Sequence, residues 1–258
     1  MTLLQRLNIS LPIIQGPMTG SDTPQLAAAV SQAGGLGFLG CGMRSPEAMA
    51  QAAAAVRAAT GKPFGMNLFV LETPRPDAAE VAAAMGRLAP LYTAFGITPA
   101  VPARWCEDFA AQFEALIAAR PAVASFTFGI LSAAQVRRIK DEAGSLVMGT
   151  ATTLAEAQAW AEAGADAVVA SGMEAGGHRG TFLGDWEGSL IGTLPLVPAC
   201  VDALKIPVIA AGGIMDGRGI AAAQALGAQA VQMGTAFLAC PESSIVPAQR
   251  AAMAAAQA

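Results

Sequence analysis

Short apolar, β-rich runs alternate with alanine-rich stretches of helical periodicity along 258 residues, and this alternation predicts an α/β fold, specifically a (β/α)8 TIM barrel with an insertion after the third strand. Three observations support that class. There are eight such runs, most are followed by a segment of helical length, and the unusual residues gather where the runs end. Eight similar repeats favour closure over an open sheet, because a closed barrel leaves no unpaired edge.

The expected strands are residues 12–18, 35–40, 63–70, 122–129, 146–151, 167–172, 207–213 and 230–238, each a short apolar run. Helices are expected at about 23–33, 45–60, 132–143, 153–163, 193–204 and 217–226. Ser132, Thr153 and Asp216 are cap candidates, since a side-chain oxygen there can accept from first-turn amides. The interval 73–121, with prolines at 74, 76, 90, 99 and 102, holds about two helices and is the insertion. Gly35-Leu36-Gly37-Phe38-Leu39-Gly40 spells a dinucleotide-binding fingerprint but lies within a strand and follows a helix, and no acid stands about 20 residues on. Close packing is the better reading of those glycines. The whole chain, 1–258, is thus expected to form one domain.

Composition narrows the function. Hydrophobic residues are 54% and charged residues 13%, yet no uncharged apolar run approaches the roughly 18 to 20 residues that cross a bilayer. Residues 1–8 lack a basic segment followed by an apolar one, so a cytoplasmic setting without membrane attachment is expected. Cys41, Cys106, Cys200 and Cys240 are scattered and only one histidine is available, which argues for reduced thiols and against a metal site. A net charge of -4 gives no reason to bind nucleic acid. A small-molecule substrate is expected, and the apolar composition leaves room for a homodimer.

The single histidine, His178, lies in Glu174-Ala175-Gly176-Gly177-His178-Arg179-Gly180, just after the sixth run. Imidazole, with an unperturbed pKa of roughly 6.5, exchanges a proton near neutrality, and flanking glycines let a flat ligand approach. His178 is therefore the catalytic candidate. The segments Ala211-Gly212-Gly213 and Gln232-Met233-Gly234-Thr235 end the seventh and eighth runs, where barrels commonly hold phosphate, so they are read as an anion cradle. Asn67 is a polar residue in an apolar strand and needs partners, which a heteroaromatic ring or neighbouring backbone could supply. Met18 could pack against such a ring or fill the core. Glu174 reads as a loop-fixing group, and Arg179 as an anion binder or an exposed side chain.

As a set, residues 12–18, 31–37, 63–69, 164–169, 174–180 and 207–243 resemble class I bacterial nitronate monooxygenases, formerly called 2-nitropropane dioxygenases. The resemblance implies noncovalently bound FMN at the barrel mouth. Met18, Asn67, Ser171 and Gly176 would then lie in the flavin-ring region, and Gly212, Gly213, Gln232, Met233, Gly234 and Thr235 would hold the phosphate end. It implies an alkyl nitronate such as propionate 3-nitronate and O2 as substrates, and a carbonyl compound and nitrite as products. A neutral nitroalkane would first lose its α-proton to His178.

Three departures stand against a simple transfer. Ser171 replaces a usual glutamine, Thr127 replaces a frequent histidine, and the family's usual segment after the eighth strand is expected to be absent beyond Ala258. The competing readings are an FMN-dependent enoyl-acyl-carrier-protein reductase, an NAD(P)H:quinone reductase, and a flavin-binding protein without turnover.

Overall fold

The computed structural model describes residues 1–256. Eight strands form one parallel sheet in the order β1-β8-β7-β6-β5-β4-β3-β2. They are β1 (Ile13–Gln15), β2 (Gly37–Gly40), β3 (Phe64–Phe69), β4 (Val123–Thr127), β5 (Leu146–Ala151), β6 (Ala167–Ser171), β7 (Val208–Ala211) and β8 (Ala230–Met233). The pairing of Ile14 with Leu36 joins β1 to the approach of β2 and closes the ring. All eight expected strands are present, so the barrel is the fold.

The helices follow local chemistry. Capping side chains start α2 (Pro24–Gln32) at Thr23, α3 (Pro46–Ala59) at Ser45, α6 (Ala133–Arg138) at Ser132, α7 (Leu154–Ala163) at Thr153 and α9 (Gly217–Ala225) at Asp216. Helix α6 runs on as a π-helical turn, Ile139–Ala143. Helix α8 (Thr193–Ala203) has only Gly192 at its cap position, so its first amides need another partner. The eighth strand is shorter than expected. Gly234 takes a helical ψ after Met233, and one turn of helix, α10 (Thr235–Leu238), replaces the predicted strand end.

The interval 73–121 divides in two. Helix α5 (Phe109–Ala119) buries Phe113, Leu116 and Ile117 and is the ordinary crossover between β3 and β4. Only the part with α4 (Ala78–Phe95) stands outside the repeat, and no residue of α4 is buried. Two short helices escaped the sequence reading, α1 (Leu3–Leu7) and α11 (Pro247–Ala255).

Strand alternation separates two cores. Met66, Leu68, Ala124, Phe126, Val168 and Val231 face the helices. Ile14, Phe38, Val123, Met148, Val169 and Ile209 fill the barrel interior together with Leu3 and Leu7 of α1. Helix α1 therefore plugs the amino-terminal end. Its position is fixed by Arg6, whose Nη2 lies 2.6 Å from Asp166 Oδ1.

Candidate active site

Toward the carboxyl ends of the strands the inward-facing side chains change from apolar to polar. Asn67 on β3 is buried, and its amide nitrogen donates to Ser125 Oγ at 2.9 Å and to Thr127 Oγ1 at 3.4 Å, both on β4. Thr127 in turn lies 3.4 Å from Thr150 Oγ1 on β5. This polar row caps an apolar interior. The Asn67 main-chain carbonyl accepts from the Cys41 amide, but among the described residues no group donates to the side-chain oxygen Oδ1, so the side-chain amide keeps an acceptor for a ligand.

The loop after β6 crosses the mouth. An added Cβ at Gly176 would come 3.4 Å from Thr235 Oγ1 after β8, and one at Gly180 would come 2.7 Å from Thr127 Cγ2 on β4. His178 lies between these two points and is exposed. Its ring meets Phe69 and Phe128 edge to face, with centroids 5.9 and 5.3 Å away. Those two phenylalanines pack on each other at 4.8 Å. Phe128 adopts φ 72°, a conformation that costs a non-glycine residue on the order of 1 kcal/mol and so must be enforced by its surroundings. Phe69 occupies space left open by Gly42, where a Cβ would collide with its ring.

Glu174 fastens the start of this loop. Its carboxylate accepts from the Thr193 amide at 2.9 Å and from the Thr193 hydroxyl at 2.8 Å, supplying the cap that Gly192 cannot. Burial pushes the Glu174 carboxyl up, but its own amide, the two Thr193 donors and the charge of Arg179 together hold it below its ordinary value. Arg179 is neither exposed nor aimed at open solvent. It is half-buried and bonds carbonyl oxygens of the protein itself.

Gly212 and Gly213 after β7 have φ 114° and 68°, and a Cβ on Gly212 would stand 2.7 Å from Thr193 Oγ1. The amides of Gly213, Gly234 and Thr235 donate to no acceptor among the described residues. Unpaired amides on the rims of neighbouring strands are the material of an anion site. Gln232 is inward and half-buried, whereas the side chain of Met233 packs into the outer core, so only the main chain of Met233 is available to a ligand at the mouth.

Met18 is half-buried, and a Cβ on Gly234 would lie 3.8 Å from its sulfur. Asp22 holds the Met18 turn, accepting from the Met18 and Gly40 amides at 2.8 Å each and from Arg44 at 3.1 Å. Burial of Asp22 outweighs those donors and raises its carboxyl above the ordinary value. Ser171 ends β6 beside Ala211, and its carbonyl accepts from Arg179.

The structure thus gathers Met18, Gly176, Gly234 and Thr235 on one side and Asn67, Thr127 and His178 on the other. Phe69, Phe128, Thr150 and Asp22 complete the surroundings and were not singled out from sequence. The alternation of Ser125 and Thr127 in an apolar strand was a readable signal, while the backbone of Phe128 left none.

Residues 1–258 match the family model described as nitronate monooxygenase. The chain is 47% identical over 252 residues to the nitronate monooxygenase of Pseudomonas aeruginosa, covering 96% of this chain and 71% of that protein. It is 45% identical over 257 residues to that of Paraburkholderia phytofirmans, covering 97% and 69%. Among solved structures, nitroalkane oxidase from Streptomyces ansochromogenes aligns with TM-score 0.88 at 42% identity, over 97% of this chain and 72% of that one. FabK from Thermotoga maritima aligns with TM-score 0.76 at 34% identity, over 100% and 68%.

Proposed function

Because the chain belongs to the nitronate monooxygenase family, we propose that it oxidises alkyl nitronates with O2, using noncovalent FMN, to a carbonyl compound and nitrite. The observation that carries this reading is the placement of the only imidazole in the chain on a loop spanning the barrel mouth, between two phenylalanine edges.

The residues fit a flavin mononucleotide. The unpaired amides of Gly213, Gly234 and Thr235 would take the phosphate, with Gly212 supplying the turn and Gln232 and the Met233 main chain beside it. Met18, Asn67, Ser171 and Gly176 would line the ring, and the free acceptor of Asn67 suits a ring N–H. Bound FMN would supply the redox chemistry, which no side chain here can.

The protein's own contribution is binding and proton handling. His178 would accept the α-proton of a neutral nitroalkane, a step usually worth roughly 10²- to 10⁴-fold. Phe69 and Phe128 would exclude water from the carbon being deprotonated and hold the imidazole edge toward it. A preformed nitronate has already lost that proton and would depend less on His178.

Anaerobic addition of propionate 3-nitronate to the purified yellow protein tests the reading. A change in the flavin absorption spectrum with nitronate and none with NADH is expected. Rapid bleaching by NADH, with no response to nitronate, would replace it with a reductase, and denatured protein that releases no FMN would remove the cofactor. Among the described residues no helix is long and apolar enough to cross a membrane.

A further inference from the structure

We infer that Arg179 is the positioning residue of His178, anchoring the main chain next to the imidazole and taking no part in substrate binding. Its Nη1 donates to the Ser171 carbonyl at 2.7 Å, at the end of β6, and its Nη2 to the Thr152 carbonyl at 3.3 Å, just past β5. Nη2 also donates to the Ser189 carbonyl, and Nε to Ser189 Oγ at 3.4 Å. One planar fork thereby joins two strand ends and the 3₁₀ turn Glu187–Ser189.

The receiving side is itself rigid. Glu156 of α7 is fully buried and accepts from the Thr152 amide at 2.6 Å and the Thr152 hydroxyl at 2.7 Å. It also accepts from the amides of Phe182 and Leu183, at 2.6 and 2.9 Å, in the descending limb of the same loop. The loop is consequently tied to α7 and the barrel rim directly after His178.

Neighbouring side chains of a non-helical stretch point to different sides, so burying Arg179 toward β5 and β6 presents His178 toward β3 and β4, where Phe69 and Phe128 stand. No protein group among the described residues hydrogen-bonds the imidazole. The ring's place therefore rests on those two aromatic edges and on its backbone, and Arg179 holds the backbone.

The inference rests on the proposed function only for its kinetic arm. With one histidine in the chain, the His178 Cε1–H signal is a single peak in a carbon–proton correlation spectrum of the purified protein. In the wild type it is expected away from the position of an unstructured histidine, displaced by the nearby rings. Arg179→Ala is expected to move it back toward that position, and Arg179→Lys to do so in part, because one ammonium cannot reproduce the fork. Turnover of a neutral nitroalkane should fall on the order of 10²-fold in Arg179→Ala, with KM for a nitronate anion unchanged.

A signal that stays in place in both variants overturns the inference, and a raised KM for the nitronate anion with an unmoved signal reassigns Arg179 to anion binding. If Arg179→Ala does not fold, Arg179→Lys carries the same test, and an unmoved signal there overturns it equally. A moved signal in a folded protein without nitroalkane activity leaves the inference standing and removes the proposed function instead.

Discussion

His178 stands out in the sequence because no other residue of its type exists, and it stands out in the structure because no protein group among the described residues hydrogen-bonds its ring. With neither ring nitrogen engaged by a protein group among the described residues, the acceptor nitrogen of the neutral imidazole is open to a substrate proton. His178→Asn should retain FMN, since none of the cradle amides belongs to it, yet lose roughly 10²- to 10⁴-fold in turnover of a neutral nitroalkane. Steady-state rates on nitroethane and on ethyl nitronate, measured side by side, check this; equal losses on both would take proton abstraction away from His178. Legibility at this scale depends on residue type. Asn67 could be found because an amide in an apolar strand must be answered by partners, and two of them, Ser125 and Thr127, stand within reach on β4, with Thr150 on β5 extending the row from Thr127. The anchoring role of Arg179 could not, because its partners are chiefly main-chain carbonyls, which every residue carries. Phe128 could not either, since its importance lies in a positive φ that no side-chain chemistry announces.

The elements were legible wherever periodicity and capping agreed, as at Thr153 and α7, and misread where tertiary packing decided. The strand reading of 234–238 failed because a glycine at the barrel rim turned the chain into helix before the apolar run ended. The glycine string at β2 is an example read correctly: a Cβ on Gly37 would collide with the Ala27 carbonyl of α2 and one on Gly40 with the Thr19–Asp22 turn, so these glycines permit close packing. Gly37→Ala should cost about 1–3 kcal/mol through overpacking. In a protein of this size that corresponds to a melting point lowered by roughly 3–10 °C, with FMN content unchanged. Loss of FMN without loss of stability would return the string to a nucleotide-binding role. Glu174, as the borrowed cap of α8, carries a pH signature. Its carboxyl is held below the ordinary 4.5, so the stability it contributes is present above that value and is lost as pH falls through the folded one. The difference in melting temperature between wild type and Glu174→Gln should therefore be constant near neutrality and shrink below about pH 4.5. A difference independent of pH would show that the carboxylate charge plays no part in the clamp.

At the scale of the molecule, the barrel is polarised along its axis: α1 and large apolar side chains seal one end, and hydroxyls, an amide and unpaired main-chain donors open the other. That polarity predicts where stability resides. Strands paired on both sides and packed by two cores can exchange amide hydrogens only when much of the barrel opens. Helix α4 is the opposite case. It is 18 residues long, contains Pro90, which removes an internal hydrogen bond, and buries no side chain fully; only Val81, Ala84, Met85 and Tyr92 are half-buried, so propensity and its own capping box at Asp77 and Glu80 carry much of it. Leu88, Leu91 and Phe95 are exposed along its surface. Pro90 interrupts the hydrogen-bond ladder and leaves stretches no longer than the roughly 12–15 residues below which isolated helices are marginal in water, so α4 should open locally without disturbing the barrel. Hydrogen–deuterium exchange should show peptides from 78–95 exchanging orders of magnitude faster than those from β3 and β4, and proteolytic cleavage near 72–77 should leave the eight strands protected and the FMN bound. Protection of α4 equal to that of β3 would mean that the arm and the barrel unfold as one unit, which would require burial that the structure does not give it.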